Sequence, residues 1–190
     1  MEETNTSPDD IVEMLLFALE LRNAESASHG RRVAEISLKI GKAMNLGDRD
    51  LIVLKRGALL HDVGRIGIPD RVLIKENALT DDEWEIIRKH PEIGAKMLKK
   101  VPSLQDTIQV IAFHHERWDG FGYPAHLAGE KIPILARICA VAEVYDSMIS
   151  EQVYRKAWPK AKALLTIEND ILKAFDPMVV KTLVRLEDLQ

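Results

Sequence analysis

The 190-residue sequence contains one cysteine, Cys139, which excludes an intrachain disulfide and suits a reducing compartment. It has no long apolar run. Residues 11–21 are apolar but carry Glu13 and Glu20 and are too few to span a bilayer. The first ten residues, MEETNTSPDD, are acidic and polar, unlike a secretory signal. Positive charge is not in excess. With 26 Lys and Arg against 30 Asp and Glu, the net charge is −4. That balance argues against nonspecific binding to a nucleic acid polymer or an anionic membrane, which requires a basic face. A small anionic ligand held by cations stays open. No internal repeat or low-complexity segment is present. What remains is an ordinary globular composition, 46% hydrophobic and 29% charged. The expectation is one cytoplasmic domain over residues 1–190, with residues 1–7 as a flexible lead.

The apolar spacing is helical throughout. Ser7-Pro8-Asp9-Asp10 reads as a capped helix start, followed by a stripe of Ile11, Met14, Leu15, Ala18 and Leu21. A second helix is expected from about Ala24 to Met44, with Val33, Ile36 and Ile40 inward. Stepping back along that face reaches His29 and then Glu25, so both are placed on the buried side. A third helix delivers His61-Asp62, and the glycines and proline of HDVGRIGIPD then turn the chain. Thr80-Asp81-Asp82-Glu83 is a capping box, and His90-Pro91 marks a helix junction. A helix from Ser103 ends in Phe113-His114-His115-Glu116, followed by an irregular Gly/Pro loop. The most apolar helix runs from Pro133 to about Ser150 and carries Glu143 and Asp146. Asp146 is left between a solvated face and a buried acid that needs a partner. Two last helices cover about residues 160–174 and 177–189. No stretch reads as a sheet. The expected architecture is an all-α bundle of seven or eight helices.

Five of the six histidines, His29, His61, His90, His114 and His115, fall at helix ends or on apolar helix faces. Only His126 lies in an irregular loop. With Asp62, Glu25 and Glu143 they supply enough donors for two or three divalent metal ions. Imidazole mixed with carboxylate suits Fe or Mn, with Zn, Ni and Co as further options. Cys139 shares a helix face with Glu143, but free cysteine behaves as a small buried hydrophobe and is assigned to the core.

These motifs make the chain resemble the HD-GYP family, a branch of the HD superfamily of metal-dependent phosphohydrolases. The resemblance runs from Glu25 to Val180 through HDVGRIGIPD, HPEIG, HHERWDGFGYP, RICAVAEVYDSMIS and FDP. It implies an HD-domain helical fold and hydrolysis of the cyclic dinucleotide c-di-GMP to pGpG or GMP by a metal-bound hydroxide. It further implies that Asp62 bridges two ions, that His29, His61 and Glu143 hold one, and that His90, His114 and His115 hold the other. Glu25 matches a glutamate that some members use for a third ion. Arg65, Gln152, Arg155 and Tyr123 are the residues expected at the substrate, and Arg65 with Asp62 is expected at the chemistry. The loop of Gly120, Gly122, Tyr123 and Pro124 would shape the site and receive a GGDEF-type or other regulatory partner. Homodimerisation is a further expectation. Three features depart from the family pattern. Glu143 replaces an aspartate, Arg65 a lysine, and Gln152-Val153 an Arg-Pro pair. They leave two alternatives: a slow or inactive domain used as a binding module, or a hydrolase of another cyclic or linear dinucleotide.

Overall fold

Three side chains start helices in the way local rules require. Ser7 and Asp10 form a reciprocal capping box before α1 (Pro8–Arg22). Asn23 ends α1 and caps α2 (Ala24–Ala43), accepting from Ser26 N. Asp176 accepts from the amides of Met178 and Val179 to start α10 (Pro177–Asp188). Between them run α3 (Asp48–Leu59), α4 (Asp70–Leu73), α5 (Asp81–Ile87), α6 (His90–Leu98), α7 (Ile108–Phe113), α8 (Ile134–Ile149) and α9 (Lys160–Asn169). This is a computed structural model, and it describes residues 6–75, 77–151 and 156–189. Seven of these helices have nine residues or more, which matches the expected bundle; the short α4, α5 and α7 add to it. No strand occurs among the described residues. The isolated bridge between Ile171 and Phe175 is the nearest approach to one.

Some boundaries differ from expectation for identifiable reasons. The segment from Ser103 is a 3-10 turn over Pro102–Thr107 before α7 begins. The helix expected to reach residue 174 stops at Asn169, and Leu172 has a positive φ of 64°. That turn lets Trp118 N and Asp119 N donate to the carbonyls of Ala174 and Lys173. The 117–124 loop is thereby fastened to the C-terminal part of the chain.

The core is built on α2, α3 and α8, with Val33, Ile40, Leu54, Ala58, Ile138 and Val141 all buried. Two glycines let the chain after His61 lie against α6. A Cβ on Gly64 would overlap the His90 carbonyl oxygen and sit 2.7 Å from Gly94 N. The obstacle is backbone, which has no rotamer to change. Gly64→Ala should therefore cost about 3 kcal/mol, the upper end of ordinary overpacking, and lower the midpoint of thermal unfolding by roughly 6–12 °C. A midpoint within about 2 °C of wild type, by calorimetry, would contradict this close approach.

Candidate metal centre

Helix ends bring the histidines together. His61 follows the last residues of α3, His90 opens α6, and His114 and His115 follow α7. At three of them the ring is pinned by the carbonyl three residues earlier. His61 Nδ1 donates to Ala58 O at 2.7 Å, His90 Nδ1 to Ile87 O at 2.8 Å, and His114 Nδ1 to Ile111 O at 2.9 Å. Once Nδ1 carries the proton, the lone pair sits on Nε2. This is the arrangement by which an outer hydrogen bond fixes a ligating tautomer. His29 reaches the same state differently. Its Nδ1 donates to Asp146 Oδ2 at 2.7 Å, on a helix 117 residues away in sequence.

The five rings form a continuous chain. Centroid separations run from 5.3 Å for His29–His61 and 5.1 Å for His61–His114 to 4.1 Å for His114–His115. They resolve into two trios of donor atoms, His29–His61–Glu143 and His90–His114–His115, with the atoms of each trio within 4.8 Å of one another. Asp62 stands between the trios. Its Oδ2 is 3.5 Å from His61 Nε2, and its Oδ1 is 3.3 Å from His90 Nε2. A carboxylate with one oxygen toward each trio is the geometry of a bridge between two cations.

The electrostatics favour the same use. Burial pushes the His114 and His115 imidazoles well below their ordinary values, and brings His90 down to about 4. These rings are neutral at working pH, the form that binds a metal. Burial alone would raise the Asp62 carboxyl, but Arg65 and then the histidines hold it well below the usual carboxylate range. Glu143 is pushed up to about 7 by burial. Two buried polar atoms, His61 Nε2 and Asp62 Oδ2, have no hydrogen-bond partner. They face each other as two electron-pair donors, and a cation satisfies both. The donor set therefore fits divalent metal ions.

One residue stands elsewhere than the sequence suggested. Glu25 is not on the buried side. It lies in the first turn of α2, with its side chain 58% exposed, and its carboxylate accepts from Arg32 at 2.8 Å. The partner of His29 is thus Asp146 and not Glu25. Asp146 is buried and is gripped by Arg32 Nε at 2.9 Å as well, so the solvated alternative is excluded. Tyr123 stacks on His115 at 4.8 Å and 26°, with the Arg88 guanidinium 5.9 Å above its ring. Its phenol is raised by burial. Cys139 is fully buried in the core, and its thiol is pushed well above its ordinary value by burial and then by Glu143. Arg65 donates to Asp62 Oδ1 at 2.7 Å. Gln152 and Arg155 lie outside the described residues.

Glu116 was missed. It is buried in HHE and accepts from Ala125 N at 2.6 Å and Leu127 N at 3.1 Å, closing the 117–124 loop. A Cβ on Gly122 would lie 2.6 Å from His115 O, so this loop packs directly on the metal-site backbone. An acid beside two predicted ligands invited reading as a third, and only the fold shows that it serves the loop.

The trio containing Glu143 opens onto a cleft of about 910 Å³. His29, Glu143, Arg65, Lys75, Asn23 and Ser147 are among its walls. That volume suits a ligand of nucleotide size.

Removing the Asp146 charge should loosen the His29 ring without touching a metal. Asp146→Asn should weaken metal binding by about 10- to 100-fold, the usual penalty for losing such a support. Metal titration followed by equilibrium dialysis checks this, and unchanged affinity would show that Asp146 serves Arg32 and Ser150 and not the orientation of His29.

A family model described as HD domain matches residues 13–179. The chain belongs to the HD-domain family. The HD-GYP resemblance of its motifs holds within it. The chain is 38% identical over 180 residues to a cyclic di-GMP phosphodiesterase of Thermotoga maritima, covering 94% of this chain and 49% of that protein. It is 36% identical over 189 residues to a cyclic di-GMP phosphodiesterase response regulator of Xanthomonas campestris, covering 97% and 50%. It thus spans about half the length of these relatives. A cyclic GMP-AMP-specific phosphodiesterase structure from Vibrio cholerae superposes with a TM-score of 0.72 at 23% identity, over 94% of this chain and 48% of that one. That likeness establishes the HD fold. No helix among the described residues is long and apolar enough to cross a membrane.

Proposed function

We propose that this HD domain is a metal-dependent phosphodiesterase that hydrolyses a cyclic dinucleotide, with c-di-GMP as the first substrate to test. One observation carries the reading: the two Asp62 oxygens are directed toward separate trios of metal donors, beside a cleft of nucleotide size. The names of the relatives point the same way.

In this reading His29, His61 and Glu143 would hold one divalent ion and His90, His114 and His115 a second, with Asp62 as the carboxylate shared between them. Fe and Mn suit the donor set. Two such cations acidify water and neutralise charge on both the attacking and the leaving oxygen of a phosphodiester. The chain's own contribution is placement. Ala58, Ile87, Ile111 and Asp146 aim the Nε2 lone pairs inward. Arg65 stands at Asp62 with its charge on the cleft wall, where it can oppose developing phosphate charge. It cannot act as a general acid, because guanidinium keeps its proton at any working pH. Glu25 joins a third ion only if it leaves Arg32. Tyr123 supports His115 by stacking on its ring. Phe121, 84% exposed at the tip of the fastened loop, offers a regulatory GGDEF-type protein or a second copy an apolar foothold. The single buried cysteine fits a cytoplasmic setting.

The test is direct. Protein loaded anaerobically with Fe(II) or Mn(II) is given c-di-GMP, cyclic GMP-AMP, c-di-AMP and pGpG, and products are separated by chromatography. Metal-dependent linearisation of c-di-GMP supports the proposal. Preference for cyclic GMP-AMP moves the substrate within the same reaction class. Tight binding without turnover of any of the four identifies a binding module.

A further inference from the structure

The cleft wall holds a second cation that the metal centre does not use. Beside Arg65, Lys75 also lines it, from the connection between α4 and α5. Arg65 is committed to the centre through Asp62. Lys75 is held from the other side. Its Nζ donates to Glu83 Oε2 at 2.6 Å, with the two side chains 27% and 17% exposed. The same Glu83 oxygen accepts from Thr80 N at 2.8 Å, in the capping box that starts α5. Glu83 is therefore fixed by the helix start, and it fixes the ammonium in turn. An ammonium has three donors, and Glu83 takes one.

A cyclic dinucleotide carries two phosphodiesters on opposite sides of its ring. When one lies at the metal centre, the other must lie further along the cleft and needs its own countercharge. Among the described residues, the remaining charged walls outside the metal trios, Glu25 and Glu151, are acidic and would repel it. The geometry points to Lys75 as the residue that binds the second, uncleaved phosphate, preorganised by Glu83. This makes Lys75 a specificity-determining residue, selecting substrates with two phosphodiesters over those with one. The assignment rests on the phosphodiesterase reading above.

The bland alternative is a tether holding the α4–α5 connection, and two variants separate it from a ligand role. Lys75→Met removes both tether and cation. Glu83→Gln weakens the tether and keeps the cation. Binding is read by anisotropy of fluorescently labelled c-di-GMP on the metal-loaded protein. Specificity is read as the ratio of kcat/KM for c-di-GMP to that for bis(p-nitrophenyl) phosphate, which has a single phosphodiester. Lys75→Met should weaken c-di-GMP binding about tenfold or more and lower the ratio about as much, as expected for one lost charge-assisted contact. Lys75→Arg and Glu83→Gln should bind within about threefold of wild type, less than half of that contact's free energy. Binding by Lys75→Met equal to wild type overturns the assignment, as does a Glu83→Gln variant with the same loss. If wild type cleaves bis(p-nitrophenyl) phosphate yet binds no cyclic dinucleotide, the substrate reading falls and Lys75 with it. If wild type binds and cleaves c-di-GMP and only the Lys75 contrast is missing, the substrate reading stands alone.

Discussion

Asp62→Ala should empty both metal positions and reduce phosphodiester hydrolysis by about 1000-fold or more, the scale of removing a charge that organises a whole site. The expectation follows from where the carboxylate lies. It is buried, with one oxygen 3.5 Å from His61 Nε2 and the other 3.3 Å from His90 Nε2. Without it, two cations would share a cavity lined by five imidazoles, with Glu143 the one remaining carboxylate in the trios. Their mutual repulsion in a low-dielectric interior would then be opposed by too little negative charge. Arg65 would lose its ion-pair partner at the same time and add a third positive charge. Asp62→Asn is the sharper variant, since it keeps the shape and removes the charge. Elemental analysis should find less than half of the wild-type metal in either variant, and circular dichroism should show that the helices persist. Wild-type metal content in Asp62→Asn would mean that each trio binds its ion independently, and the bridging role would be lost.

Much of this candidate centre could be read in the sequence because four of its candidate ligands, His61, His90, His114 and His115, sit at helix ends. There, local rules decide which residues face inward. His61, His90 and His114 each use the carbonyl three residues earlier, a contact that short-range spacing already contains. Ser7, Thr80 and Asp176 announce their helices for the same reason. What the sequence concealed depends on long-range contacts. His29 and Asp146 are 117 residues apart, and no periodicity couples them. The only signal was an acid on an apolar helix that had to find a partner. Glu25 misled because helical stepping gives the direction of a side chain but not where the core stops. One turn before His29, Glu25 lies on the open wall of the cleft, where Arg32 reaches it. Lys75 was invisible as a site residue for a related reason. Only folding brings the α4–α5 connection to the wall that holds His29 and Glu143.

Acidification should remove metal from the Glu143 trio before the all-histidine trio, and Glu143→Gln should reproduce that selective loss at neutral pH. Burial raises Glu143 to about 7, so in the metal-free protein its carboxyl is about half protonated near neutrality. A protonated carboxyl cannot ligate. Binding there must expel a proton, and affinity should fall by about tenfold for each pH unit below 7 from this group alone. The other trio behaves differently. His90 is held down to about 4, and His114 and His115 are also well below their ordinary value, so protons do not compete with metal there until the solution is far more acidic. The same shifts act on the fold with opposite signs. For the lowered His90, unfolded chains bind more protons between about pH 6.5 and 4, so the stability it contributes is full above that window and is lost as pH falls through it. For the raised Glu143, the contribution is full below about pH 4.5 and is lost as pH rises through about 7. Metal reverses the Glu143 penalty at neutral pH, because the ion takes up the buried charge. Metal should therefore raise the unfolding temperature more at pH 7.5 than at pH 5.5, and Glu143→Gln should flatten that difference. Titration with Mn(II) followed by electron paramagnetic resonance counts the bound ions at each pH. Two ions released together across pH 7 to 5, or a Glu143→Gln variant that keeps both, would show that Glu143 is not the ligand that makes the two positions unequal.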